Sequence, residues 1–291
     1  MSSKEQKPNF PVTLNDIGDF NKFQARVLGF GNESKVCPKK EELNIIKNEK
    51  EAWKNVFGVD IEVLPLPDFV TPEVQKNLEK MGMELRFIPN LNLDDVNKLQ
   101  KLGVEKYLEE LHNRYPNWNP YEKLSESQKE DHSVMRNLEE WFWNNVKDKK
   151  IDFPKLSGKW IAVETIPKPK YGDKYKSSII SDMLGFDNRF GTTWNQVNIA
   201  INQHEAKILT KIGIKQGKIR MLDALEYNLL ANREAWGATD TYEWTNTEYR
   251  AYGDSRRVIV GHSDDGGAAL ADWGHSVRSG GDIGWRVVVD F

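Results

Sequence analysis

The chain has 291 residues, with 41 Lys or Arg against 44 Asp or Glu and a net charge of −3. A hydrophobic share of 38% beside 29% charged residues fits a soluble globular protein and excludes a wholly disordered one; the near-balance of charge gives no electrostatic ground for nucleic acid or an anionic membrane as partner. The single cysteine, Cys37, excludes an internal disulfide and a tetra-cysteine zinc site.

In chain order, the N-terminus MSSKEQKPNFPVTL lacks the apolar core of a signal peptide, and no run approaches the roughly 18 apolar residues of a membrane span. A cytoplasmic protein is the default expectation, and a virion component would look the same. NIIKNEKEAWKNVFG (44–58) predicts an amphipathic helix, and DIEVLPLPDF (60–69) a strand running into a proline-limited turn. Thr71 is placed to cap a helix with Pro72 in its first position and Gly82 at its end. ELRFIP (84–89) predicts a short strand; 94–103 and 104–115 predict helices, broken by Pro116 and Pro120. Ser125–Gln128 matches a capping box, followed by a helix with Val134, Leu138, Trp141, Phe142 and Val146 on one stripe. IDFPKLSG (151–158) predicts a connector, so the expected organisation is an α-rich region over 1–154 and a second domain over 155–291.

In the second half, WIAVETIP (160–167) alternates like a strand. TTWNQVNIAINQHEAKILTKIG (192–213) predicts a helix burying Trp194, Val197, Ile201, Ile208, Leu209 and Ile212. RMLDALEYNLLANRE (220–234) predicts another, with Leu222, Leu225 and Leu229 inward. RRVIVGHSDDGG (256–267) predicts a strand and glycine turn, and IGWRVVVDF (283–291) a terminal strand. Helices followed by short strands and long loops give an α+β fold class.

The charge hides an asymmetry. Of 29 lysines the last is Lys218; residues 219–291 hold seven arginines and 12 acids, and eight of the chain's 21 glycines fall between Gly253 and Gly284. One reading is a loop-rich half that prefers arginine. The other is a recognition surface built from Tyr, Trp, Ser, Gly, Asp and Arg, where rigid aromatics give contact area at low entropic cost.

Catalytic motifs are missing. GxxxxGK[ST], GxGxxG, HExxH and GxSxG do not occur, and His262–Ser263 are strand neighbours pointing to opposite faces, a poor nucleophile–base pair. Glu226, Glu243 and Glu248 flank aromatics as in some sugar-cleaving sites, but nothing in the spacing fixes their separation. His204, His262 and His275 have no metal-ligand spacing, so neither a metal nor another cofactor is expected.

Three C-terminal blocks carry a resemblance. RMLDALEYNLLANRE (220–234), YEWTNTEYR (242–250) and RRVIVGHSDDGGAALADWGHSVRSGGDIGWRVV (256–288) resemble, in that order, the conserved blocks of the C-type lectin fold of the formylglycine-generating-enzyme type. The resemblance covers roughly residues 155–291. It implies a C-type lectin-like fold in the C-terminal half, with WIAVETIP as a first strand pairing beside the last. Catalytic members use a C-terminal cysteine pair that this chain lacks, so the resemblance implies the fold without the chemistry. A noncatalytic branch, the variable proteins of diversity-generating retroelements, displays a hypervariable segment that ends before a G-[FW]-R strand. Gly284–Trp285–Arg286 takes that place, and no asparagine follows Asn246.

On that resemblance the segment 246–284 is variable, and its ligand-binding surface consists of Tyr252, Asp254, His262, Asp265, Leu270, Asp272, Trp273, His275, Ser276, Arg278, Ser279 and Asp282. Leu222, Leu225, Leu229, Val258, Val260, Val287 and Val288 would be the fixed core. Trp273 is the candidate anchor, with a core position as the competing reading. The expected partner is a macromolecule, protein or glycan. The alternative is an enzyme with altered residues, a metal-dependent oxidase or sulfoxide synthase of the same superfamily.

Overall fold

The unbroken apolar runs WIAV (160–163) and VVV (287–289) make two strands that are buried on both faces, and the architecture is built around them. The computed structural model describes residues 40–91, 96–116, 138–234, 236, 240–251, 253–262 and 270–291, without the side chains of 40, 41, 262 and 270. The chain divides into units 1–43 and 44–291, and all that follows concerns the second. Among the described residues it is a mixed α+β assembly with two four-stranded sheets and eight helices.

Helices α1 (Lys40–Phe57) and α2 (Pro72–Lys80) precede strand β1 (Met83–Ile88). Thr71 caps α2 as expected, its Oγ1 accepting from the Val74 amide at 3.3 Å. No strand forms over 60–69: Pro65 and Pro67 have no amide to donate, and the segment instead buries Val63 and Leu66 while the Leu64 carbonyl accepts from Trp160 Nε1. Helices α3 (Val96–Leu102), α4 (Val104–Arg114) and α5 (Glu140–Lys147) follow, with Leu138, Phe142 and Val146 buried and Trp141 half-buried. The Ser125–Gln128 capping box lies outside the described residues.

Strand β2 (Lys159–Glu164) leads to helices α6 (Ile179–Leu184) and α7 (Trp194–Ile212), then to β3 (Lys218–Met221), α8 (Ala224–Glu234), β4 (Tyr242–Tyr249), β5 (Arg256–His262), β6 (Leu270–His275), β7 (Ile283–Trp285) and β8 (Val287–Asp290). Thr193 and Gln196 cap α7 reciprocally, and Gly213 ends it at φ 93°. The helix expected from 220 begins only at Ala224. Glu226 reaches back to the Asp223 amide at 3.1 Å and Thr247 Oγ1 takes the Ala224 amide at 2.9 Å, which fixes the helix start and leaves 218–221 free to pair as β3. Three further elements, α6, β4 and β6, lie where no particular element was expected.

The first sheet has the order β1-β2-β8-β3, antiparallel throughout. β2 pairs beside β8, the pairing expected for 160–167 and the C-terminus. Ile161, Val163 and Val288 face one core cluster, while Trp160, Ala162, Val287 and Val289 face the other. The second sheet has the order β6-β5-β4-β7, with β7 parallel to β4. The single terminal strand expected over 283–291 is therefore two strands in two sheets, separated at Arg286. Leu222, Leu225, Leu229, Val258, Val260, Val287 and Val288 are all buried, as expected. β1 belongs to the same sheet as β2, so the 154/155 boundary falls inside one compact unit.

Candidate ligand-binding surface

The Gly284–Trp285–Arg286 segment holds the C-terminal strands in place. A Cβ on Gly284 would stand 2.5 Å from the Tyr175 ring, so only glycine lets the strand pass. Trp285 is sealed in the core and donates from Nε1 to Thr192 Oγ1 at 3.0 Å. Arg286 is buried. Its guanidinium donates to both Glu243 oxygens (3.2 and 3.0 Å), to the Glu164 carbonyl and to Tyr175 Oη, and lies 3.9 Å above the Trp236 ring. Burial works against its charge, but Glu243 and the two tyrosines Tyr175 and Tyr227 outweigh that and hold its pKa above the ordinary arginine value. Beside it, Arg189 bonds both oxygens of buried Glu164 at 2.6 and 3.0 Å. These paired charges tie β2, β4 and the β7–β8 junction together.

Of the three glutamates read as a possible acid pair, Glu243 is committed to Arg286 and Tyr175. Glu226 is buried against Arg220 and Lys159. Glu248 is exposed beside Arg250. Glu226, Glu248 and Asp223 border a cleft of about 610 Å³, where burial, then Glu226, raise the Asp223 carboxyl above its usual range.

The expected display residues centre on β5 and β6. Register pairs Val258 with Trp273 and Arg256 with His275, placing Tyr249, Arg256, Trp273 and His275 on one face. Trp141 of α5 packs on Tyr249 with ring centroids 5.3 Å apart, Tyr249 stacks on Trp273 at 6.2 Å, and His275 meets the Trp273 edge at 5.7 Å. The Arg256 guanidinium lies 3.8 Å above Trp273 and is gripped by both oxygens of Asp254 at 2.5 and 3.0 Å. That grip holds the Asp254 carboxyl below its ordinary pKa; His275 Nδ1 is 3.4 Å from the same carboxylate. Trp273 is therefore both things the sequence left open: half-buried against the first core cluster and still part of the surface.

The other expected display residues divide. Asp272 is exposed on the opposite face, its Oδ1 accepting from the Trp273 amide at 2.7 Å. On that face Gly274 is obligatory, because a Cβ would meet the Trp244 ring at 2.4 Å. Arg278 and Ser279 are exposed and Asp282 is half-buried. Ser276 is a correction: it is sealed, donating its hydroxyl to Ser255 Oγ at 2.9 Å, because the turn after β6 tucks inward there to meet α7. His262 and Leu270 are cross-strand partners, their side chains outside the described set, and Tyr252 and Asp265 lie outside the described residues. Sequence reasoning missed Val277, 67% exposed at the turn, and Ile199, 54% exposed one helical turn from Asn195, whose amide bonds the Ser276 carbonyl. The signal was available: α7 carries no charged residue from Trp194 to Gln203.

What holds this region is mostly main chain. Glu139 Oε1 accepts from the Ala271 amide at 3.1 Å, Asn195 donates to the Ser276 carbonyl at 3.0 Å, Gly191 to the Gly280 carbonyl at 3.1 Å, and Tyr242 to the Asp282 carbonyl at 2.8 Å. No protein-family model, curated protein or solved structure matches the chain. Among the described residues, no three His, Cys, Asp or Glu side chains stand together as a metal site, and no helix is long and apolar enough to cross a membrane.

Proposed function

We propose that the protein is a noncatalytic binding protein that presents a variable C-terminal surface on a C-type lectin-like frame, in the manner of the variable proteins of diversity-generating retroelements. The observation that carries this reading is the anchoring of residues 271–282 through backbone amides and carbonyls. A main-chain hydrogen bond does not depend on which side chain the residue carries, so side chains can change while the loop path stays fixed. The buried Arg286 junction and the β2–β8 pairing support the frame half of the reading. The partner is a macromolecule, protein or glycan, that contacts Trp273 and His275 on one face of β6 and Arg278 and Ser279 in the turn after it. Sequencing the DNA around the gene tests it. The expected locus holds a reverse transcriptase gene and a near-copy of the 3′ coding end that differs at adenines; a locus with neither contradicts the reading.

A further inference from the structure

The segment Pro167–Tyr171 follows β2 without regular structure and straps across the end of the second sheet. It is fastened at three points. Thr241 Oγ1 donates to the Pro169 carbonyl at 2.8 Å, and the Tyr171 amide to Asp240 Oδ1 at 2.6 Å. The third is Lys168, only 5% exposed, whose Nζ donates to the main-chain carbonyls of Thr241 and Gly261. Gly261 is at φ 110°, and a Cβ there would lie 2.6 Å from Lys168 Nζ and 2.7 Å from Tyr227 Oη. Only glycine admits the amine to this place. Tyr227 Oη is buried and has no hydrogen-bond partner among the described residues.

Count the hydrogens on this nitrogen. A neutral amine has two N–H donors and a lone pair; an ammonium has three donors and none. Two carbonyls accept from it, which uses both donors of the neutral form, and Tyr227 Oη, on the same glycine, makes no hydrogen bond to the nitrogen and so supplies no third acceptor. We propose that Lys168 is a proton-operated latch: neutral, it closes the strap onto the second sheet with its donors used; protonated, it leaves a sealed positive charge with a hydrogen unpaired, and the strap loosens.

The charged and titratable groups around it are Glu243 on β4 and Asp240, which favour the ammonium, and Arg286, which opposes it, with Tyr227 on α8 beside them. The His262 side chain, next to Gly261, lies outside the described set. Burial is the largest influence and takes the amine from 10.5 down to about 7. The unfolded chain keeps this proton up to the ordinary lysine range, so the folded state is penalised fully below pH about 7 and progressively less as pH rises. Stability therefore increases with pH above neutrality, by roughly 50-fold in the folding equilibrium constant between about pH 7 and 9.

Urea unfolding of the full chain at a series of pH values from about 6 to 9, for wild type, Lys168→Met and His262→Gln, tests the latch. Wild type and His262→Gln should gain stability by tens of fold across that range, and Lys168→Met should stay level. A rise that survives in Lys168→Met, or disappears in His262→Gln, overturns the proposal. Should Lys168→Met not fold, ¹³Cε NMR titration of wild type decides: one of the 29 lysines should titrate near neutrality, and midpoints all above about 9.5 overturn the latch.

Discussion

Trp273 and His275 are neighbours on one face of β6, yet they hold different amounts of structure. One face of the Trp273 ring is occupied by Arg256 at 3.8 Å and the ring stacks on Tyr249, while His275 touches the Trp273 edge and a surface carboxylate. A half-buried tryptophan with a guanidinium on its face contributes about 2 kcal/mol of packing and cation–π attraction. A half-buried histidine at the rim, whose polar atoms face a surface carboxylate, contributes within about 0.5 kcal/mol. Trp273→Ala should therefore lower the Tm by about 4–8 °C, and His275→Ala by about 2 °C or less, in thermal unfolding followed by circular dichroism. Equal losses would mean that the two side chains share one environment. The clamp also bears on the proposed binding: with Arg256 on its face and Tyr249 stacked on the ring, Trp273 offers an edge and not a free stacking plane. Sequence could name Trp273 as important but could not decide between anchor and core, because that depends on a cross-strand register that pairs Val258 with Trp273.

Elements were legible where their own residues decide them. Thr71–Pro72, Thr193 with Gly213, and the apolar run of 160–163 each satisfy local rules, and each element formed at the expected place. Misses occurred where a distant group decides. β3 exists because Glu226 and Thr247 hold the start of α8 at 224. The terminal strand splits because Arg286 must point inward to Glu243. β6 is polar and glycine-containing, and becomes a strand only through β5 and the Glu139 carboxylate on its outer edge. The same dependence gives an expectation at this scale. Glu139→Ala leaves the Ala271 amide without its acceptor, so exchange of the 270–276 backbone should quicken about tenfold while β4 and β5 keep their protection. Hydrogen exchange read by mass spectrometry checks this; unchanged rates in 270–276 would mean that Glu139 is incidental to the strand.

Over the whole molecule the same device recurs. Glu49 takes the Phe87 amide on β1, Glu205 the Ile219 amide on β3, and Glu139 the Ala271 amide on β6. Arg189 takes the Trp285 carbonyl at the end of β7. A helix-borne or flanking charge thus sits on each outer strand of both sheets, which blunts edge-to-edge pairing with another chain. On the proposed reading, recognition therefore falls to side chains on β6 and the 276–282 turn, not to strand addition. The order of the C-terminal blocks in the sequence pointed to this region, and the apolar core residues in it could be named in advance. The inward turn of Ser276 and the exposure of Val277 could not, because both follow from how the turn docks on α7. The division between a fixed frame and a replaceable surface is tested most directly by thermal unfolding of two variants. One carries Asp272→Tyr, His275→Tyr, Arg278→Asp and Ser279→Tyr together; the other carries Arg286→Ala alone, which leaves buried Glu243 without its partner at a cost of about 3–5 kcal/mol. The fourfold surface variant should melt within about 5 °C of wild type and the single buried change should fall well below both; a surface variant that unfolds as readily as Arg286→Ala would contradict the account.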